Sequence, residues 1–428
     1  MNHLLQLLLL LTVIITAAKL AGALASRIGQ PAVFGEILVG LILGPTVLDM
    51  LGWPLFQPAG GGAHGPGAPG LLGVVRDLAE IGVILLMFIA GMETDLREMR
   101  RVGKVAFWAA LGGVVLPFVG GALVAGAFGL PVFWEGIFIG TILTATSVSI
   151  SAQTLMELGA LRSKEGTTIL GAAVIDDVMG IIVLSLVVAF ARTTGEVDLG
   201  SVALVLARMT VFFVVAIYLG RRFLAPLAAL SDRLGVSQGL LAFVVAMAFL
   251  YAWAAEALGS VAAITGSYLA GVLFAQTPYK ERIDHGVHPL TYSMLVPVFF
   301  ISVGLRANGR ELGSEIGLTV AVLVVAIVAK AIGCGVSARL SGFDTRESVR
   351  VGVGMISRGE VGLIVAGYGL EHRIISADVF SASVIMVLVT TMITPPLLKL
   401  VFPHQAHGPV RPVEETVAGP PEEVEGPR

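Results

Sequence analysis

The chain has 428 residues, a formal net charge of −3, 56% apolar residues, 13% charged residues and a mean hydropathy of +0.91. Soluble domains average about 25% charged residues, so this composition excludes an ordinary soluble protein, and the near-neutral balance gives no electrostatic case for nucleic acid. Runs of ~20 apolar residues suit membrane helices rather than the alternating strands of a barrel.

Residues 1–28 pose a choice between a cleaved leader and a first span. Ala21-Gly-Ala-Leu-Ala-Ser26 has the small residues of a cleavage site, but Met1-Asn-His3 carries no Lys or Arg, so a span is expected. A window of ~20 residues predicts thirteen spans. They lie near 3–22, 31–49, 73–92, 104–128, 132–157, 166–191, 199–220, 236–257, 259–275, 288–305, 315–337, 349–370 and 377–402. The ninth and tenth are short. Residues 55–72 read as a Gly/Pro-rich loop, and residues 403–428, rich in Pro and Glu, as a disordered cytoplasmic tail. No G-x-G-x-x-G lies between a strand and a helix, so no nucleotide partner is expected.

With the N-terminus outside, the loops and span ends assigned to the inside hold 19 Lys and Arg, and those outside hold 5. This bias supports thirteen spans, an outside N-terminus and a cytoplasmic C-terminus. The expected location is the cell inner (plasma) membrane, with lipid as the surrounding partner. Trp53, Trp134 and Trp253 fall near span ends, where aromatic belts sit.

The polar residues inside the spans carry the functional argument. Asp176 and Asp177 are adjacent in the apolar run Gly171–Gly180. A carboxylate at the bilayer centre costs ~3 kcal/mol on insertion scales, and such groups mark ion or proton pathways. Lys330 lies mid-span in Val320–Ser337, too deep to reach an interface readily. Its economical partner is one of the two aspartates, in a pair that is either purely structural or open to competition from a cation. Thr144-Ala-Thr-Ser-Val-Ser-Ile150 places Thr146, Ser147 and further hydroxyls mid-span. They suit an unwound turn and the oxygen ligation of a hard cation. In the twelfth span Gly352, Gly354, Gly359 and Gly362 surround Arg358 and Glu360. Two interrupted helices, one in each half, point to a midplane transport site, and Arg358 and Glu360 would offset the charge of the half-helix ends. The plainer alternative is hydroxyl back-bonding and close packing at small residues. Glu36 and Glu80 sit near span ends and read as structural, and Arg208 reads as within a span in need of a partner or cavity. Cys334 is the single cysteine, and the seven histidines fall at termini or in loops. No resident metal or cofactor is expected, and no enzymatic nucleophile–base pair is available in the spans.

Several strings occur in family order: Gly35-Glu-Ile-Leu-Val-Gly-Leu-Ile-Leu-Gly-Pro45, Leu78-Ala-Glu-Ile-Gly-Val83, Thr144-Ala-Thr-Ser-Val148, Asp176-Asp177 and Pro297-Val-Phe-Phe-Ile-Ser-Val-Gly-Leu305. Over roughly residues 1–402 the chain resembles the monovalent cation:proton antiporters, above all the bacterial NapA-type sodium/proton antiporters. The resemblance implies an all-α membrane fold of thirteen helices in two inverted repeats with two crossed broken helices. Spans 4–6 and 11–13 would form a moving core, spans 1–3 and 8–10 a dimerisation domain, and the protein would be a homodimer. Asp177 matches the family's essential ion-binding carboxylate, Asp176 the neighbouring Asp of electrogenic exchangers and Lys330 their lysine. Sodium would be held transiently by Asp177 and Asp176, with Thr146, Ser147, Arg358 and Glu360 in support. The chain departs from potassium-efflux relatives in lacking Gln before Asp177 and a nucleotide-sensing domain. The implied function is electrogenic sodium/proton exchange. A potassium/proton exchanger and an ion channel are the alternatives.

Overall fold

The computed structural model describes residues 3–56, 70–192, 199–233, 236–306, 316–371 and 373–402, and among them every regular element is helical. The Gly/Pro-rich loop largely, and the Pro/Glu-rich tail wholly, lie outside the described residues. The helices are α1 (His3–Arg27), α2 (Ala32–Leu43), α3 (Leu71–Glu93), α4 (Leu96–Ala127), α5 (Ile137–Thr144), α6 (Val148–Glu157), α7 (Lys164–Arg192), α8 (Leu199–Leu219) and α9 (Ala225–Arg233). They continue with α10 (Gly239–Ala257), α11 (Ala263–Phe274), α12 (Lys280–Leu290), α13 (Val296–Arg306), α14 (Ile316–Leu340), α15 (Thr345–Gly354), α16 (Glu360–Glu371) and α17 (Ala377–Val401).

Among the described residues nine helical stretches are long and apolar enough to cross a membrane, and three shorter apolar helices accompany them at 32–43, 263–274 and 361–370. Helix α3 carries Arg76, Asp77 and Glu80 in its first turns yet buries Val83 to Met92 almost without interruption. Residues 145–147 interrupt the fifth predicted span between α5 and α6, and residues 355–359 interrupt the twelfth between α15 and α16. The seventh and tenth spans run longer than hydropathy indicates. The seventh continues through a π-helical turn at Gly220–Leu224 to Arg233. The tenth begins at Lys280, because α12 is amphipathic and buries only Ile283 and Val287, so its polar face escapes an apolar window. Arg208 has neither the cavity nor the burial expected of it, since it lies on the exposed face of α8. Glu80 pairs with Arg76 at 2.9 Å on the exposed start of α3.

The helices pack in two groups. In one, α4 lies against α14, α7 and α5, and α14 lies against α15 and α17. In the other, α11 and α13 lie against α3, α13 against α2, α2 against α1 and α10 against α11. Close approach depends on small residues. A Cβ at Gly112 of α4 would collide with the Gly333 carbonyl of α14, and one at Gly304 with the backbone around Gly40. Some helix starts are capped by side chains: Asp95 accepts from the amides of Arg97 and Glu98, and Asp344 with Glu347 forms a full capping box at α15. The backbone amides of Glu347 and Arg346 hold the Asp344 carboxyl below the usual range.

Helix α14 shows what the packing decides. Leu318, Val322, Ala326, Lys330, Cys334 and Ala338 form its buried face, while Val320, Val324, Val328, Ile332 and Val336 form an exposed stripe. Lys330 therefore projects into the protein, on the face that meets α4 and α15.

Candidate ion site

The two interruptions meet. The Ser147 amide donates to the Ser357 carbonyl at 2.9 Å, and the Ser357 hydroxyl donates to the Ser147 carbonyl at 2.7 Å. The Ser151 hydroxyl adds a bond to the Gly354 carbonyl at 2.6 Å and lies 3.2 Å from the Ser357 hydroxyl. Backbone groups that leave a helix in hydrocarbon must find such partners, since water is absent. Gly359 is required by the crossing, because a Cβ there would press on the Ser147 side chain.

Each interruption leaves a half-helix C-terminus, which carries a partial negative charge. A buried cation faces each. Lys330 Nζ donates to the Thr144 carbonyl at the end of α5 at 2.8 Å, and to Asp176 Oδ1 and Oδ2 at 2.9 and 3.1 Å. Arg358 donates to the Met355 and Ile356 carbonyls at the end of α15, at 3.2 and 3.0 Å, and to the Ala326 carbonyl of α14 at 3.0 Å. The Arg358 carbonyl in turn accepts from the Thr391 hydroxyl of α17 at 2.5 Å. Lys330 and Arg358 are both fully buried. The side chain of Glu360 lies outside the described residues.

The two aspartates have different surroundings. Asp176 is 2% exposed and closed in by Lys330, whereas Asp177 is only half-buried. Adjacent helical residues diverge by ~100°, so α7 gives one carboxylate to the ion pair and turns the other to the Thr265 hydroxyl of α11, at 3.2 Å. Thr146 is buried, and its hydroxyl oxygen meets no hydrogen-bond partner among the described residues. The Ser147 hydroxyl oxygen is likewise unpartnered. Among the expected site residues the structure thus joins Asp176 to Lys330, and seats Thr146, Ser147 and Arg358 at the crossing. Thr265, Ser151 and Ser357 escaped the sequence reading. The sign available for Thr265 was the shortness of the ninth span, since truncated hydrophobic segments accompany transport sites.

At the far end of α6, Glu157 reaches across to the other helix group. Its Oε2 accepts from the Ala32 amide at the start of α2 at 2.7 Å, and its Oε1 from Gln153 Nε2 at 3.0 Å. Glu36 is buried nearby, 3.9 Å from Lys19, which itself donates to the Tyr292 carbonyl at 2.8 Å.

Two crossed, interrupted helices with half-helix ends neutralised by buried cations, beside a carboxylate pair, define a secondary ion transporter. Residues 12–402 match the transmembrane sodium/hydrogen exchanger family, and the chain belongs to that family. It is 40% identical to the Na(+)/H(+)-K(+) antiporter GerN of Bacillus cereus, over 92% of this chain and 95% of that protein. It is 35% identical to the Na(+)/H(+) antiporter of Enterococcus hirae over 91% of this chain and 96% of that one. The structure of the sodium proton antiporter MjNhaP1 from Methanocaldococcus jannaschii at pH 8 is similar in fold. It has a TM-score of 0.64 at 14% identity, with 94% of this chain and 99% of that chain covered.

Proposed function

We propose that the protein is an electrogenic sodium/proton antiporter that exchanges cytoplasmic Na+ or Li+ for external H+ by alternating access. The carrying observation is the Asp176–Lys330 pair beside the half-buried Asp177 at the helix crossing. The sodium/proton antiport for which the relatives from Bacillus cereus and Enterococcus hirae are named supports the sodium and proton assignment.

In the proton-loaded state Asp177 is neutral and Lys330 is charged against Asp176. Sodium takes the Asp177 carboxylate with oxygen from Thr146, and the proton leaves. Its field competes for Asp176 and frees Lys330, which releases a second proton. Exchange is obligatory because an uncompensated buried charge is costly to move through a low-dielectric barrier. Two protons against one sodium move one net charge, worth ~2.3 kcal/mol per 100 mV. In this reading α4–α7 and α14–α17 form the moving core, α1–α3 and α10–α13 form the dimerisation domain of a homodimer, and the N-terminus faces outside a plasma membrane. No resident cofactor takes part.

The test is sodium-driven proton flux in proteoliposomes, with and without an imposed potassium diffusion potential, for wild type and Lys330→Gln. Wild-type flux that follows voltage, together with mutant flux that does not, is the expected result. Voltage-independent wild-type flux would leave an electroneutral exchanger and overturn the electrogenic part. The name of the Bacillus cereus relative also favours a second reading, in which potassium is a further substrate. Replacing sodium by potassium in the same assay decides it.

A further inference from the structure

Helical threonines in this chain mostly return their hydroxyl to the carbonyl four residues earlier, as Thr12, Thr141, Thr154, Thr168 and Thr210 do. Thr265 does not. Its hydroxyl donates to Asp177 across the boundary between the two helix groups, and the residue is only 2% exposed. We propose that Thr265 is a specificity- and affinity-setting residue of the cation site, contributed by the helix group opposite the aspartates, so that the site is complete only when the two groups are docked. The proposal rests on the sodium/proton reading above and adds a ligand to it.

Depth and rigidity support this. Ser267 donates to the Ile84 carbonyl of α3 at 2.7 Å. Ile84 precedes Thr94, at the end of α3, by ten residues, which is ~15 Å of helix and half of a ~30 Å hydrocarbon core. Thr265, a further half-turn up α11, therefore sits near the midplane, level with the middle of α7. The Thr265 amide bonds to the Ala262 carbonyl at 3.0 Å, and one turn on, the Tyr268 hydroxyl lies 3.0 Å from that of Thr94. Gly271 lies so close to the α3 backbone that a Cβ would collide with the Phe88 carbonyl. The hydroxyl is thus presented from a fixed platform. The same helix runs on to a cleft of about 460 Å³ lined by Glu93, Thr94, Arg97, Arg162 and Lys280.

A threonine hydroxyl both donates and accepts. With the site empty it donates to the ionised carboxylate. With sodium present it rotates and offers its oxygen to the ion. Hard cations of this kind take several oxygen ligands. When the core moves, Asp177 leaves Thr265, so this ligand is lost as the ion is carried away.

The test is sodium-driven proton flux in proteoliposomes for wild type, Thr265→Val and Thr265→Ser. One hydrogen bond or ligand is worth a few-fold in affinity. Thr265→Val should raise KM for sodium about threefold or more with kcat within about twofold, and Thr265→Ser should return KM to within about twofold of wild type. A smaller KM change in Thr265→Val, a fall in kcat at unchanged KM, or a serine variant as impaired as the valine one would overturn the proposal while leaving the exchanger intact. If the valine variant does not fold, as judged by gel filtration, Thr265→Ala against Thr265→Ser makes the same comparison. A wild type without sodium-driven flux would sink the underlying reading instead.

Discussion

The two helix interruptions solve one electrostatic problem with different cations. At the end of α15, Arg358 gives its guanidinium to three backbone carbonyls drawn from its own segment and from α14. At the end of α5, Lys330 divides its ammonium between the Thr144 carbonyl and the Asp176 carboxylate. Arginine stays protonated in proteins and its planar fork suits fixed recognition, whereas a buried lysine changes protonation readily. The first arrangement is therefore a permanent clamp. The second holds a titratable pair that an incoming cation can compete with. Two half-helix ends are neutralised, and in the proposed exchange only one of them carries exchangeable protons.

The comparison can be broken in several ways. The largest effect is expected at the half-buried carboxylate of Asp177. Asp177→Asn should abolish coupled exchange while leaving a folded protein, and residual sodium-driven proton flux would contradict the assignment. Next, Arg358→Met should cost ~3 kcal/mol or more in stability, because the buried carbonyls lose charged donors. A normal melting temperature in that variant would show that the clamp is dispensable. Third, removing one member of the Lys330–Asp176 pair leaves an uncompensated buried charge, at ~3–5 kcal/mol. The double variant Asp176→Asn/Lys330→Gln should therefore be more stable than the sum of the singles by more than ~0.5 kcal/mol, as read by thermal unfolding in detergent. Additive losses would mean that the pair is not coupled.

Smaller effects sharpen the contrast between site and frame. Glu157→Ala removes a carboxylate from the start of α2 and should cost ~1 kcal/mol, as other helix-cap losses do, with KM for sodium unchanged. A shift in KM would show that the tie between the helix groups feeds into ion binding. The smallest change belongs to the Arg76–Glu80 pair, whose side chains are more than half exposed. Glu80→Gln should alter stability by no more than ~0.5 kcal/mol and leave exchange untouched.

How much was legible beforehand depends on the residue. Asp176, Asp177, Lys330 and Arg358 stand out in any apolar window, since each charge is too costly to be there without function or a partner. The interruption of span five was visible as clustered hydroxyls and that of span twelve as clustered glycines. Glu157 was not visible as a site neighbour, because a carboxylate at a span end is ordinary, and Thr265 was marked only by the shortness of its span, which does not single out one residue. Ser151 and Ser357 gain meaning only through bonds between residues some 200 positions apart.

By itself the sequence determined the class of the molecule. Hydrocarbon admits only helices or closed barrels, and the length and apolarity of the runs exclude the second. It also determined where the costly charges lie and that two helices break. Only the tertiary structure decided which aspartate takes Lys330. Adjacent residues on a helix face different neighbours, and nothing local says which direction points to α14. It likewise decided how the rest of α14 packs: Leu318, Val322, Ala326, Cys334 and Ala338 share the buried face with Lys330, although the valines of the exposed stripe are just as apolar. Thr265 was its decision as well: a hydroxyl becomes a candidate ligand only when packing brings it to a carboxylate 88 residues away.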